Sequence, residues 1–210
     1  MYCGVVRTFP KENVLRHYLA NNKRVKKIGI YGGTFDPIHH GHLILAREAR
    51  EQLHLDSVIF IPAAVSPFKD KATASAEVRL EMLNAAIANE SGFAADRQEI
   101  DRPAPSYTID TVESIRARES DAELYYLIGQ DNVAALTKWH RFNDLEKLVR
   151  FVVLDRTGEQ TDHRYLIVHR KVDISATDIR NRVASHRSIR YLVPDAVEEI
   201  IRRRGLYQEN

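Results

Sequence analysis

The chain has 210 residues, with 31 lysines and arginines against 29 aspartates and glutamates, and a formal net charge of +2. This length suits one α/β domain with a buried core, and the near balance of charge argues against nucleic acid and membranes as partners. Cys3 is the only cysteine, which excludes an internal disulfide and a cysteine-based metal cluster and fits a reducing, cytoplasmic location. No apolar run approaches the ~18 residues that span a bilayer, and the N-terminus lacks the apolar region of a secretory signal.

Residues 1–26 form a basic stretch in which Glu12 is the only acidic residue. We interpret this stretch as an N-terminal basic extension with one helix at about 14–19. A targeting peptide is the alternative, but the Ser-rich composition of such peptides is absent. Residues 27–210 are assigned to one domain.

Strand-like and helix-like patterns alternate along that domain. The first half contains predicted strands at 28–31, 57–62 and near 93–100, a loop at 63–74, and helices marked by Leu43, Ile44, Ala46, Ala49 and Leu53 and by Val78, Met82, Leu83, Ala86 and Ile87. The second half contains a helix at 108–118 capped by Thr108, strands at 124–128 and 151–154, a helical stretch with Trp139, and helices beginning near Ala176 and Pro194. This order predicts a Rossmann-like α/β fold, with a parallel sheet covered on both faces and a C-terminal helical portion.

The strand at 28–31 leads through Gly32 and Gly33 into a turn, and a helix is expected to begin near His40. Glycines allow a ligand to approach the main chain closely, and the amides at a helix N-terminus favour a phosphate. His39 and His42 are three residues apart, so both can face that first turn. Imidazoles there would donate hydrogen bonds to phosphate oxygens, and a bound triphosphate would favour their protonated forms.

This segment has other possible interpretations. The Gly-Lys-Ser/Thr ending of a Walker loop and the Gly-x-Gly-x-x-Gly dinucleotide fingerprint are both missing. A zinc site is the main rival, because Asp36, His39, His40 and His42 cluster, but a His-x-x-His pair needs further ligands, and none is obvious elsewhere in the sequence. The remaining alternative is a glycine turn with surface histidines that has no binding role.

Two segments together resemble the nucleotidyltransferase α/β superfamily. Gly-Gly-Thr-Phe-Asp-Pro-Ile-His-His-Gly-His at 32–42 resembles its (His/Thr)-x-Gly-His signature, and Ile-Ser-Ala-Thr-Asp-Ile-Arg at 174–180 resembles its Ile-Ser-Ser-Thr-x-x-Arg signature. Within the superfamily the chain is most similar to bacterial nicotinate-nucleotide adenylyltransferases. The supporting segments are Ser-Tyr-Thr-Ile-Asp-Thr at 106–111, Gly-Gln-Asp at 129–131 followed by Trp139, Val-Val-Leu-Asp-Arg at 152–156 and Tyr-Leu-Val-Pro at 191–194.

The resemblance implies transfer of AMP from ATP to nicotinate mononucleotide, with release of pyrophosphate and formation of deamido-NAD in NAD biosynthesis. It implies Mg²⁺ on the phosphates and no metal site built from protein side chains. The residues carried over for the triphosphate are Gly32, Gly33, Thr34, Phe35, His39, His42, Lys69, Ser175, Thr177 and Arg180, with His39, His42 and Arg180 as the catalytic set. Thr108, Asp131 and Trp139 are carried over for nicotinate mononucleotide, with Trp139 as a stacking platform for the pyridine ring.

The sequence departs from the family pattern at two positions. Ala176 replaces a common serine of the second signature, and Phe68 replaces a histidine beside Lys69. Three other functions stay open at this point: pantetheine-phosphate adenylyltransferase, a small cytidylyltransferase, and a nucleotide-binding regulator without catalysis. The preference for acid or amide acceptor and the formation of a homo-oligomer are also left open.

Overall fold

The computed structural model describes residues 24–64, 74–158 and 163–208. Its six strands form one sheet in the order β3-β2-β1-β4-β5-β6, and every neighbouring pair is parallel. The strands are β1 Lys27–Gly33, β2 Ser57–Pro62, β3 Phe93–Ala95, β4 Glu123–Gly129, β5 Arg150–Asp155 and β6 Leu166–His169. The Rossmann-like α/β prediction is therefore confirmed.

The connections between strands are mostly helical. The helices are α1 His40–Gln52, α2 Ala76–Ile87, α3 Gln98–Asp101, α4 Thr108–Arg118, a 3-10 helix Gln130–Lys138, α5 Phe142–Leu148, α6 Ala176–Ala184 and α7 Asp195–Arg204. Among the described residues, no helix is both long and apolar enough to cross a membrane. The helix predicted at 14–19 lies outside the described residues, as does most of the loop predicted at 63–74, including Lys69 and Phe68.

Alternating side chains of the central strands build two cores, one on each sheet face. On β1, Ile30 belongs to one buried cluster and Tyr31 to the other. On β4, Tyr126 joins the cluster of Ile30, whereas Leu127 joins the cluster of Tyr31. Helices α1, α2, α6 and α7 contribute buried residues to the Tyr31 cluster, and α4 and α5 contribute to the Ile30 cluster. Both faces are therefore covered, as a parallel sheet requires.

The structure corrects three details of the predicted elements. The strand expected near 93–100 ends at Ala95 and is followed by the short helix α3. The edge strand β6 was not predicted, because Leu-Ile-Val at 166–168 is a short apolar run without alternation, which periodicity alone cannot assign to a strand. Thr108 does not cap α4: it is the first helical residue, and Tyr107 occupies the cap position without a side-chain hydrogen bond to the helix.

The order of the strands determines where a ligand can bind. From β1 the chain crosses to β2 and β3 on one side, and it later returns to β4, β5 and β6 on the other side. The crevice between β1 and β4, beyond their carboxyl ends, is therefore the topological switch point at which ligands bind in such sheets.

Candidate active site

The end of β1 passes close to two aromatic side chains. A Cβ atom on Gly32 would lie 2.3 Å from the Tyr126 hydroxyl oxygen, and one on Gly33 would lie 2.8 Å from the Phe35 ring. Phe35 itself is buried and has φ of 50°, a left-handed conformation that is uncommon for a residue with a side chain. Glycine at both positions therefore lets the end of β1 approach these aromatic groups, which a larger side chain would meet.

His39 and His42 cap helix α1 reciprocally. The His42 amide donates to Nδ1 of His39 at 3.4 Å, and the His39 amide donates to Nδ1 of His42 at 3.3 Å. The two rings stack with their centroids 3.7 Å apart. Each Nδ1 accepts a hydrogen bond, so the proton of each neutral ring is on Nε2. The geometry thus presents two fixed Nε2–H donors at a helix N-terminus.

The charge state of His39 bears on the expectation that a bound triphosphate would favour its protonated form. Burial lowers the pKa of His39 to about 3, and electrostatic interactions with Arg156 and His40 act in the same direction. His39 is 2% exposed as a whole residue, and protonation of Nδ1 would break the bond that it accepts from the His42 amide. The expected protonated form is therefore opposed by this geometry for His39, which would act as a neutral donor.

The second signature contacts the first at several points. Ser175 caps α6 by accepting from the Asp178 amide at 3.1 Å. One turn into that helix, Arg180 donates from Nη1 to the Asp36 carbonyl at 2.8 Å and from Nη2 to the Thr177 hydroxyl at 3.3 Å. A Cβ on Gly41 would lie 3.3 Å from the carbonyl oxygen of Ile174, so glycine there lets the two segments pack closely.

The loop after β5 supports the same junction. The Asp155 carboxylate accepts from the amides of Thr157 and Gly158 and lies 2.8 Å from Nδ1 of His169. Burial would raise the pKa of Asp155, but these hydrogen bonds outweigh it and hold the pKa below its ordinary value. Arg156, placed by this loop, donates to the Ile174 carbonyl at 3.3 Å.

Two of the residues expected to hold the acceptor, Thr108 and Trp139, lie against the core on the other face of the sheet. Tyr126, beneath Gly32, is hydrogen-bonded to the Thr108 side chain and has its pKa raised by burial. The Trp139 ring packs edge-on against Tyr126 at 5.8 Å and Phe151 at 6.3 Å and is partly exposed. Trp139 immediately follows the 3-10 helix rather than lying within it. Asp131 follows the end of β4 and adds negative charge near Tyr31.

The structure thus groups the site residues expected from the sequence at one edge of the sheet, except Lys69, which lies outside the described residues. Within the described ranges, no group of three or more His, Cys, Asp or Glu side chains could hold a metal ion. The zinc interpretation of the histidine cluster therefore gains no support.

Sequence reasoning missed three residues beside the site: Arg79, Tyr126 and Tyr207. The Tyr207 hydroxyl donates to the Asp36 carboxylate at 2.6 Å, and Arg79 donates to the Thr34 carbonyl at 2.6 Å. Arg79 precedes Met82 and Leu83 by three and four positions, so the apolar face of α2 contains a charge, and this signal could have revealed it. Tyr126 and Tyr207 have no comparable signal in the sequence.

Comparisons with known proteins agree with this geometry. The family model described as cytidylyltransferase-like matches residues 30–182. A protein of Bacillus pumilus named "probable nicotinate-nucleotide adenylyltransferase" is 40% identical over 188 residues, which cover 88% of this chain and 100% of that protein. One of the same name from Exiguobacterium sibiricum is 42% identical, with coverage of 86% and 98%.

The fold has a solved relative as well. Nicotinic acid mononucleotide adenylyltransferase from Plasmodium falciparum, in complex with NaAD, superposes with a TM-score of 0.72 at 18% identity, covering 87% of this chain and 97% of that one. This likeness supports the fold, and the sequence matches are high enough to give the family. The chain belongs to the nicotinate-nucleotide adenylyltransferases, within the cytidylyltransferase-like nucleotidyltransferases.

Proposed function

We propose that this chain transfers AMP from ATP to nicotinate mononucleotide, giving deamido-NAD and pyrophosphate. The observation that carries the proposal is the bond from Arg180 to the Asp36 carbonyl at 2.8 Å. It brings the cationic end of the second signature against the turn of the first, at the carboxyl edge of β1 and β4. The names of the relatives, and the binding of NaAD by the Plasmodium enzyme, support the same acceptor.

The reaction needs positioning more than acid–base chemistry. The acceptor's 5′-phosphate oxygen is already an anion, so it can attack the α-phosphorus without a strong base. A new P–O bond forms, the bond to the β-phosphate breaks, and pyrophosphate leaves with the electron pair. Catalysis then depends on donors that stabilise the charge of the leaving group.

The side of the site proposed to bind ATP, the AMP donor, is called the donor side, and it has groups suited to that task. The Nε2–H groups of His39 and His42 lie at the N-terminus of α1, whose dipole favours an anion. The guanidinium of Arg180 offers a planar fork for the β- or γ-phosphate. The Ser175 and Thr177 hydroxyls and the amides of Gly32 to Phe35 complete this proposed shell, and Lys69 is proposed to join it.

Mg²⁺ is proposed to enter with ATP, held by phosphate oxygens and water. The donor-side chemistry fits this arrangement, because imidazole, guanidinium and amide N–H groups bind anions rather than Mg²⁺. Bound there, the cation would reduce the charge of the triphosphate, while the side chains orient it.

The acceptor side offers an aromatic ring and a helix N-terminus. Trp139 is proposed to stack on the pyridine ring, with Asp131 near the ribose. Tyr107 makes no side-chain cap, so the first-turn amides of α4 beside Thr108 can face a carboxylate. This favours the acid over the amide. The lone cysteine fits enzymatic work in the cytoplasm.

The test is a pyrophosphate-release assay with ATP and three candidate acceptors: nicotinate mononucleotide, nicotinamide mononucleotide and phosphopantetheine. We expect release with nicotinate mononucleotide, less with the amide and none without Mg²⁺. Equal or faster release with phosphopantetheine would overturn the acceptor assignment. ATP binding without release under any condition would favour the regulator.

A further inference from the structure

Arg79 is a buried charge that the reaction described above does not use. It lies on the inner face of α2 and is 1% exposed. Burial lowers its pKa, although the nearby Asp36 charge acts in the opposite direction. A buried guanidinium is costly unless its donors are satisfied, so its partners indicate what it is there to hold.

Those partners are main-chain carbonyls of three separate segments. Nη1 donates to Thr34 at 2.6 Å, in the turn after β1. Nη2 donates to Ala63 at 2.7 Å and Ala64 at 3.2 Å, just after β2, and Nε donates to Ala74 at 3.2 Å, just before α2. Arg79 therefore fastens the phosphate-binding turn to both described ends of the following loop.

The bond to Thr34 sets the direction of the next amide. The Thr34–Phe35 peptide is trans, so its carbonyl and its N–H point in opposite directions. Because the Arg79 guanidinium holds the Thr34 carbonyl on the α2 side, the Phe35 N–H must point away from α2. Phe35 has a left-handed φ, which is unfavourable for a residue with a side chain. Without the bond from Arg79, the Thr34–Phe35 peptide would therefore tend to rotate to a more favourable conformation.

We infer that Arg79 is a positioning residue for AMP transfer, which holds the Thr34–Phe35 peptide so that the Phe35 amide faces the triphosphate. The inference rests on the proposed function for the identity of that ligand. Arg79 touches no substrate in this arrangement, and acts through the peptide that it orients. Its loss should therefore affect the chemical step on ATP and spare the binding of the acceptor.

The first experiment compares Arg79→Lys with the wild-type enzyme. Lysine keeps the charge and loses the fork that spans three segments. We expect kcat to fall by about tenfold or more, as for a misplaced transition-state donor, with KM for nicotinate mononucleotide within about twofold. Met82→Ala, a cavity on the same face of the same helix, is the control: it should lower the melting temperature and leave kcat at 25 °C near the wild-type value.

An unchanged kcat in folded Arg79→Lys would overturn the inference. So would an equal loss of kcat in Met82→Ala, if the two variants also lose the same amount of melting temperature. Inactivity of the wild-type enzyme with nicotinate mononucleotide would instead count against the proposed function, so the two failures are distinguishable.

A second measurement needs ATP alone and works even if Arg79→Lys does not fold. With ¹⁵N-phenylalanine labelling, seven amides are visible, and Phe35→Leu assigns the relevant one. The Phe35 resonance of the wild-type protein should shift on addition of Mg²⁺-ATP, and in folded Arg79→Lys the shift should shrink. A Phe35 resonance that ATP leaves unmoved in the wild-type protein would refute the inference.

Discussion

The two sides of the site are built differently. On the donor side, Arg180 and Tyr207 donate hydrogen bonds to Asp36, and the two histidines cap one helix reciprocally. On the acceptor side, Trp139 is held mainly by edge-on contacts with aromatic rings of the opposite core. Hydrogen bonds specify direction, whereas apolar contacts mainly fill volume. The donor side should therefore control turnover, and the acceptor side should control which substrate binds.

The strongest test of this contrast is removal of a donor-side imidazole. His42→Ala should lower kcat by about 10²- to 10³-fold, because it deletes one fixed donor to the leaving group. Steady-state kinetics with saturating ATP and nicotinate mononucleotide measure the effect. His40→Ala, two positions earlier in the same helix, is the matched control and should stay within a few-fold of wild type. Near-normal turnover in His42→Ala would remove the proposed role.

The contrast also explains how much of the site was visible in the sequence. Residues 32–42 are contiguous and join a buried strand to a helix, so local pattern alone located the phosphate-binding turn. The contact of Arg180 with Asp36 joins residues 144 positions apart, and only family resemblance brought the two together before the fold was known.

Contacts that depend on packing, by contrast, are harder to predict from the sequence. Trp139 could be placed near a strand end, but its contacts depend on Tyr126 and Phe151 of two adjacent strands, whose register no local pattern gives. Edge strand β6 has only four residues, too few for a clear strand pattern in the sequence. Thr108 looked like a helix cap because threonine favours that position, yet the helix begins at Thr108 itself, and its hydroxyl pairs with Tyr126.

A second prediction uses pH to test whether the donor side is built from neutral rings. The pKa of His39 is about 3 in the folded protein and near 6.5 when the chain is unfolded. Between pH 6.5 and pH 3, His39 binds a proton in the unfolded chain but not in the folded protein. This contribution to stability is therefore complete above pH 6.5 and declines toward pH 3. Between pH 7 and pH 5 the free energy of unfolding should fall by about 2 kcal/mol from this residue.

Urea unfolding at the two pH values measures that loss. His39→Asn is the reference, because asparagine also caps helices and does not titrate in this range. The difference between the two proteins isolates the histidine from the carboxylates that also titrate. Parallel loss of stability in both proteins would mean that His39 is not held neutral.

The smallest expected effect belongs to the acceptor side. Trp139→Ala should raise KM for nicotinate mononucleotide by about tenfold, the scale of one lost base–aromatic contact, and leave KM for ATP within about twofold. Trp139→Phe keeps an aromatic ring, so its KM for nicotinate mononucleotide should lie between those of the wild-type enzyme and Trp139→Ala. Phe142→Leu is the packing control, since Phe142 stacks on Phe151 in the same core. It should lower stability and leave both KM values unchanged. If Trp139→Ala raised KM for both substrates equally, the tryptophan would be a core residue only, and specificity for the acceptor would have to come from the amides of α4.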